Sequence, residues 1–212
     1  MGIFNLFAKK PTKPYQNDGL NHVYELLFCD DVALYRQATA PTAYPWTVLL
    51  AAAPTPAQLQ AVAADKTLEA RQRLLAYRLL AASGAFIDHR EILGVVVEVG
   101  LPGGLDVLAA FSEGGARYLN QAEKLLVWET QTPESRQLLD ELFAASLTVV
   151  NQIGKWDQPR RPFPPNGMVR LTFLVSDGLY FGEGPFDVLQ ADPMGGPVIA
   201  AATRLMAYLT EQ

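Results

Sequence analysis

Cysteine and histidine are nearly missing from this chain. Of 212 residues one is cysteine, Cys29, and two are histidine, His22 and His89. One thiol cannot close an intramolecular disulfide, so a reducing, cytoplasmic setting is expected. Two histidines that never form His-x-x-x-His, with a single cysteine, do not make a zinc site, and no metal or cofactor is expected. A cationic surplus is missing as well. The 17 Lys and Arg against 22 Asp and Glu leave a net charge of −5. Nucleic acid and anionic membranes are bound by clustered Lys and Arg, so neither is expected as a partner. The best basic cluster, Lys155 with Arg160 and Arg161, is small. No apolar run approaches the roughly 18 residues of a membrane span, and integral membrane association is not expected. The longest run, "WTVLLAAA", stops at Pro54. In "MGIFNLFAKK" the lysines follow the apolar residues, the reverse of a secretory signal.

Apolar residues make up 50% of the chain, enough for a sizeable core. Residues 1–18 read as a flexible or docked tail, because "KKPTKPY" breaks any helix. Gly2 makes no myristoylation site, since position 6 is Leu. Residues 19–86 read as a mainly helical region. "DGLNHVYELLFCDDVALYRQ" has a helical period interrupted at Asp30 and Asp31. Residues 46–53 suit strand or helix. From Thr55, a cap followed by Pro56, the pattern is helical to Gly84, with a break near Asp65 and Lys66.

Residues 87–212 change character. "EILGVVVEVG", "LDVLAAF", "ARYLN" and "KLLVWE", joined by short turns, predict a four-strand antiparallel meander. Thr132 and Pro133 open a helix that Gly154 stops. A proline-rich connector, "KWDQPRRPFPPNG", leads to a hairpin over residues 171–186 and a last helix from Pro197 to about Thr210. The order predicts an α+β fold, with an antiparallel sheet of about six strands covered by helices on one face, forming one compact domain with the N-terminal helical region. Strands and helices do not alternate throughout, as a parallel nucleotide-binding sheet requires.

"LTFLVSDGLYFGEGPF" holds a Gly-x-Gly that invites a phosphate reading. Asp177–Gly178 is the hairpin signal, with a positive φ expected at Gly178. That turn sets Phe173 opposite Gly182 and Leu171 opposite Gly184, so packing beside large cross-strand side chains accounts for both glycines. Crowding against Phe173 is the expected cost of a methyl group at Gly182. A phosphate loop runs instead from a strand into a helix N-terminus, and Pro185 removes an amide. The better anion candidate is Gly195–Gly196, where the bland account is a glycine N-cap.

No catalytic constellation stands out. His22 lies two helical turns from Cys29, and Asp30 and Asp31 raise the thiol's pKa, so a buried inert cysteine is expected. "DHRE" at 88–91 reads as a solvated connector. Asp177, Glu183 and Asp187 are close in sequence, but Asp177 suits the turn and Glu183 an exposed cross-strand ion pair with Arg170. Interaction candidates are Arg117, Tyr118 and Trp128 on adjacent strands, and Trp156, Arg160 and Arg161 on the connector, because Tyr, Trp and Arg are enriched at binding hot spots. Both sets have a packing alternative.

At "YPW", "RYLNQ", "NQIGKWDQPR" and "LVSDGLYFGEGP" the chain resembles hypothetical proteins of environmental bacteria. The resemblance implies a bacterial, cytoplasmic chain and carries no function. The leading expectation is a non-catalytic binding or interaction module that self-associates or binds a protein partner. The rival is a small-molecule enzyme using carboxylates and Arg117 in a cleft between sheet and helices.

Overall fold

The structure, a computed structural model, describes residues 13–36 and 42–212. The expectations for residues 1–12, Gly2 included, lie outside the described residues. Six antiparallel strands form one sheet: β1 (Ile92–Leu101), β2 (Gly104–Phe111), β3 (Ala116–Leu119), β4 (Leu125–Trp128), β5 (Met168–Val175) and β6 (Gly178–Pro185). Their order across the sheet is β4-β3-β2-β1-β5-β6. The meander is β1 to β4, and the hairpin β5–β6 joins it at the free edge of β1. The fold is α+β, as the element order predicts.

Helices cover both faces of this sheet, not one. The first group is α1 (Asp18–Leu26), α2 (Trp46–Leu49), α3 (Pro56–Ala64) and α4 (Ala70–Ala82). Its Tyr24, Phe28, Leu59, Val62, Leu74 and Leu75 share a core with Leu93, Val96, Val107, Ala109 and Phe111. The second group is α5 (Pro133–Val150), α6 (Phe186–Ala191) and α7 (Gly195–Thr210). Here Leu139, Leu142, Val198, Leu205 and Leu209 pack on Val95, Val97, Leu108, Leu171 and Phe173. The physical reason was visible in "GVVVEVG". A strand whose successive side chains point to opposite faces, and are nearly all apolar, needs cover on both.

Several local expectations change. The first helix ends at Leu26. Cys29 then takes a positive φ of 52°, and Asp31 caps a separate 3-10 turn, Val32–Tyr35, by accepting from Ala33 N at 2.8 Å. Residues 13–18 are docked in part: Tyr15 is buried and its hydroxyl donates to Leu105 O at 3.0 Å. In the segment left open between strand and helix, Trp46–Leu49 is a short helix.

The β5–β6 turn is centred on Ser176 and Asp177, not on Asp177 and Gly178. Val175 pairs with Gly178, Phe173 with Tyr180 and Leu171 with Gly182. Ser176 draws the turn back by one residue. Its hydroxyl donates to His89 O at 2.8 Å and accepts from Glu91 N at 3.0 Å. Gly178 therefore has no positive φ. The register moves by two residues, which preserves the face, so Gly182 lies opposite Leu171 and not Phe173. A β-carbon at Gly182 meets nothing within 4 Å, so the expected crowding is absent. Gly184 packs on Leu189 of α6, a helix with no expectation in the sequence.

The glycine with the least room among those described is Gly100. A β-carbon there lies 2.1 Å from Pro165 O and 2.7 Å from Pro164 O, where the connector crosses the end of β1. Backbone on that side cannot yield as a flexible side chain does. Gly100→Ala should lower stability by about 2–3 kcal/mol, by overpacking, and Gly182→Ala should stay within about 0.5 kcal/mol of the parent. Urea unfolding of the two variants checks the order; a greater loss at Gly182 reverses the account.

Candidate functional site

Two polar constellations emerge that are dispersed in sequence. The first lies under the connector. Glu98 on β1 is fully buried, and Arg170 beside it on β5 is 3% exposed. The hydroxyl of Tyr24, from α1, donates to Glu98 Oε1 at 2.6 Å. Arg170 Nη1 stands 3.7 Å from Glu98 Oε2, an ion pair without a hydrogen bond. Arg170 Nε donates to Glu183 Oε2 at 2.7 Å, and its two terminal nitrogens donate to Arg161 O and Pro162 O on the connector. The Arg170–Glu183 pair exists as expected, but it is covered, not exposed. Burial raises the Glu98 carboxyl above its ordinary range, partly opposed by Arg170. Neither the cavity beside α3 and α4 nor the one beside α7 is lined by Glu98 or Arg170, and this cluster reads as a staple.

The interaction candidates separate. Arg117 is buried, giving Nη1 to Ala116 O and Trp128 O and Nη2 to Glu129 at 2.8 Å. It lines neither the cavity beside α3 and α4 nor the one beside α7. Tyr118 faces the opposite side and donates to Asp106 at 2.8 Å. Trp128 packs edge-on against Tyr208 of α7, with ring centres 5.8 Å apart. Of the connector candidates, Trp156 and Arg161 come together and Arg160 does not. Trp156 packs edge-on against Phe181, and Arg161 lies over both rings. Arg160 is turned inward, bonded to Asp30 at 2.8 Å and to Glu25, with its guanidinium 3.9 Å from the Phe28 ring centre. For Arg160, named as an interaction candidate, the packing alternative holds: its partners are internal.

Asp177 accepts from Tyr180 OH at 2.9 Å, and Asp187 is exposed on α6. The anion candidate at Gly195–Gly196 is already served. Asp192 accepts from Met194 N and Gly195 N at 2.8 Å each. Cys29 is buried, and burial pushes its thiol up to about 12, as an inert cysteine requires. Among the described residues no cluster of three or more His, Cys, Asp or Glu is placed to hold a metal, and no helix is long and apolar enough to cross a membrane.

The second constellation borders a cavity of about 240 Å³ between α3, the end of α4 and residues 85–89. Its walls are mainly apolar: Ala63, Ala64, Leu80, Ala85, Phe86 and Ile87. Gly84, at φ 80°, ends α4, and Ala85 N reaches back to Leu80 O at 3.0 Å. That is the left-handed helix stop, and it throws Phe86 outward. Phe86 is 89% exposed.

One edge of the cavity is polar and ordered. Asp88 Oδ1 lies 3.1 Å from His89 Nδ1, and His89 Nε2 lies 2.9 Å from Tyr77 OH. A carboxylate only accepts, so Nδ1 carries a proton, and in the neutral ring Nε2 then accepts from the Tyr77 hydroxyl. The bond to His89 lowers the Asp88 carboxyl, and burial raises the Tyr77 phenol. Behind it Arg73 grips Glu91 with both terminal nitrogens, at 3.2 and 2.7 Å, and gives Nε to Ala63 O at 2.9 Å. Together with Ser176, these bonds hold residues 89–91 against α3, α4 and the hairpin. "DHRE" is thus a fixed wall, although Asp88 and His89 do reach solvent.

No family model matches the chain, and no curated protein or solved structure matches it.

Two outcomes follow from the geometry. Arg160→Ala should cost about 1.5–3 kcal/mol, the range for hydrogen bonds to charged groups, while Arg161→Ala, at an exposed position, should cost less than about 0.5 kcal/mol. Thermal melts compare them. For Glu98 the sign follows from a folded pKa raised above the unfolded one. The folded state then holds the extra proton, so this group's contribution is greatest at low pH and falls as pH rises through the folded pKa. Glu98→Gln removes that term. The stability of the variant minus that of the parent should become more positive as pH climbs from the ordinary glutamate range toward neutrality. A flat difference across denaturant unfolding curves at several pH values contradicts it.

Proposed function

We propose that the chain is a non-catalytic binding module whose recognition site is the cavity between α3, α4 and residues 85–89. One observation carries the reading: an apolar hollow of about 240 Å³ has a large apolar side chain, Phe86, standing 89% exposed at its mouth. Water is a poor occupant for apolar walls, and an exposed phenyl group gains about 1.5–3 kcal/mol when buried. The ordered Tyr77–His89–Asp88 edge supports a preformed site, which spares a guest the cost of organising it. Its guest is an apolar group of about side-chain size.

Cytoplasmic placement belongs to the same proposal, supported by the lone, buried thiol. The enzyme alternative had placed its arginine in a cleft, and Arg117 is already engaged by main-chain carbonyls and Glu129.

The test uses N-acetylphenylalaninamide as the probe and the Phe86→Ala chain, which keeps the remaining walls. Binding with a dissociation constant on the order of 1 mM is expected. Amide shifts should be confined to residues near 60–64, 77–80 and 85–89. Ala64→Trp, added to the same chain, should abolish them by filling the hollow. No localised shifts, or shifts that persist in the filled variant, would overturn the reading.

A further inference from the structure

Phe86 and the cavity it borders are a knob beside a hole, on a face almost without charge. From Thr42 to Ala64 the chain has no charged side chain. The outward residues of α3 include Ala57, Ala61 and Ala64, and Ala81, Ala82 and Ser83 are exposed at the end of α4, which packs against α3. Charges return at the margin, at Asp65 and Asp88. Depletion of charge at the centre of a patch with a polar rim is the composition of a protein–protein interface.

We infer that this face binds a second copy of the chain about a two-fold axis, each Phe86 entering the other copy's cavity. The inference rests on the binding reading above and names the occupant of that site. The adjacency of knob and hole favours a second copy over an unrelated partner. In a two-fold pairing the same patch meets itself, so one rotation fills both cavities and buries both phenyl groups. An unrelated apolar guest fills the hole and leaves Phe86 in water unless it also brings a hole of its own. The lack of charge across the face removes like-charge repulsion at its centre, which a self-pairing surface must avoid. The Tyr77–His89–Asp88 edge stays at the rim, where the Asp88 side chain is 85% exposed.

Sedimentation velocity across a concentration series tests the pairing on the full chain. The wild type should form dimers. Phe86→Ala removes the knob and Ala64→Trp plugs the hole, both at exposed positions, so circular dichroism should show both variants folded. Each alone should raise the dimer dissociation constant about 100-fold or more, from the loss of two buried phenyl contacts. Mixed together, they should associate better than either alone, because the knob of Ala64→Trp fits the open hole of Phe86→Ala. A wild type that stays monomeric at high concentration, or a Phe86→Ala dimer as tight as the wild type, overturns the inference. If the wild type is monomeric while Phe86→Ala still takes up N-acetylphenylalaninamide, only the pairing falls. If uptake fails too, both fall.

Discussion

A carboxylate with no exposure, Glu98, faces a guanidinium, Arg170, on the adjacent strands β1 and β5. Charges removed from water this far are tolerated only when partners surround them. Much of the architecture on that face supplies those partners. Tyr24 brings α1 down onto Glu98, and Glu183 brings in β6. The carbonyls of residues 161 and 162 oblige the connector to cross the sheet at this point. The connector then runs so close to β1 that position 100 has no space for a side chain. Arg160, one residue away, ties the same connector to α1 and the chain beyond it.

This staple settles where the rest of the N-terminal region lies. With α1 held over the centre, α3 and α4 pack beyond it on the same face, and α5 and α7 cover the other. The seam between α4 and β1 is a short stretch, residues 85–91, braced from three directions by Arg73, Tyr77 and Ser176. The cavity opens at this seam. Its polar edge is tied by hydrogen bonds to α4 and to the β5–β6 turn, and its mouth carries Phe86 because a left-handed glycine ends α4 there.

Much of the fold was legible in residues with local consequences. Thr132–Pro133 and Thr55–Pro56 do open helices with capping boxes, Gly84 does end one, and Gly103 makes the β1–β2 turn with φ 83°. The meander and the final hairpin follow from period-two patterning and turn residues. Misreadings arose where a distant group outbid a local signal. Asp177–Gly178 is a strong turn pair, yet Ser176 shifted the turn by bonding to residues 89 and 91, almost ninety positions away. Glu183 was readable as a partner of Arg170, but its covering connector was not.

The candidate site was hardly visible in the chain. Tyr77 carries no local signal of its own, and "DHRE" read as a solvated connector, because no spacing rule joins them. A lone carboxylate inside an apolar strand, Glu98, was the one local hint of a buried charge. Composition and pattern alone sufficed for the α+β class, the antiparallel strands and the capped helix starts at Thr55 and Thr132, because each depends on neighbours a few residues apart, whereas the helix read as running to Gly154 ends at Val150. Only the folded chain decided that both sheet faces are covered, that Arg160 turns inward, and that Tyr77, His89 and Phe86 meet at one hollow. Those outcomes depend on contacts between residues far apart in sequence, and propensity and periodicity carry no information about which distant surfaces meet.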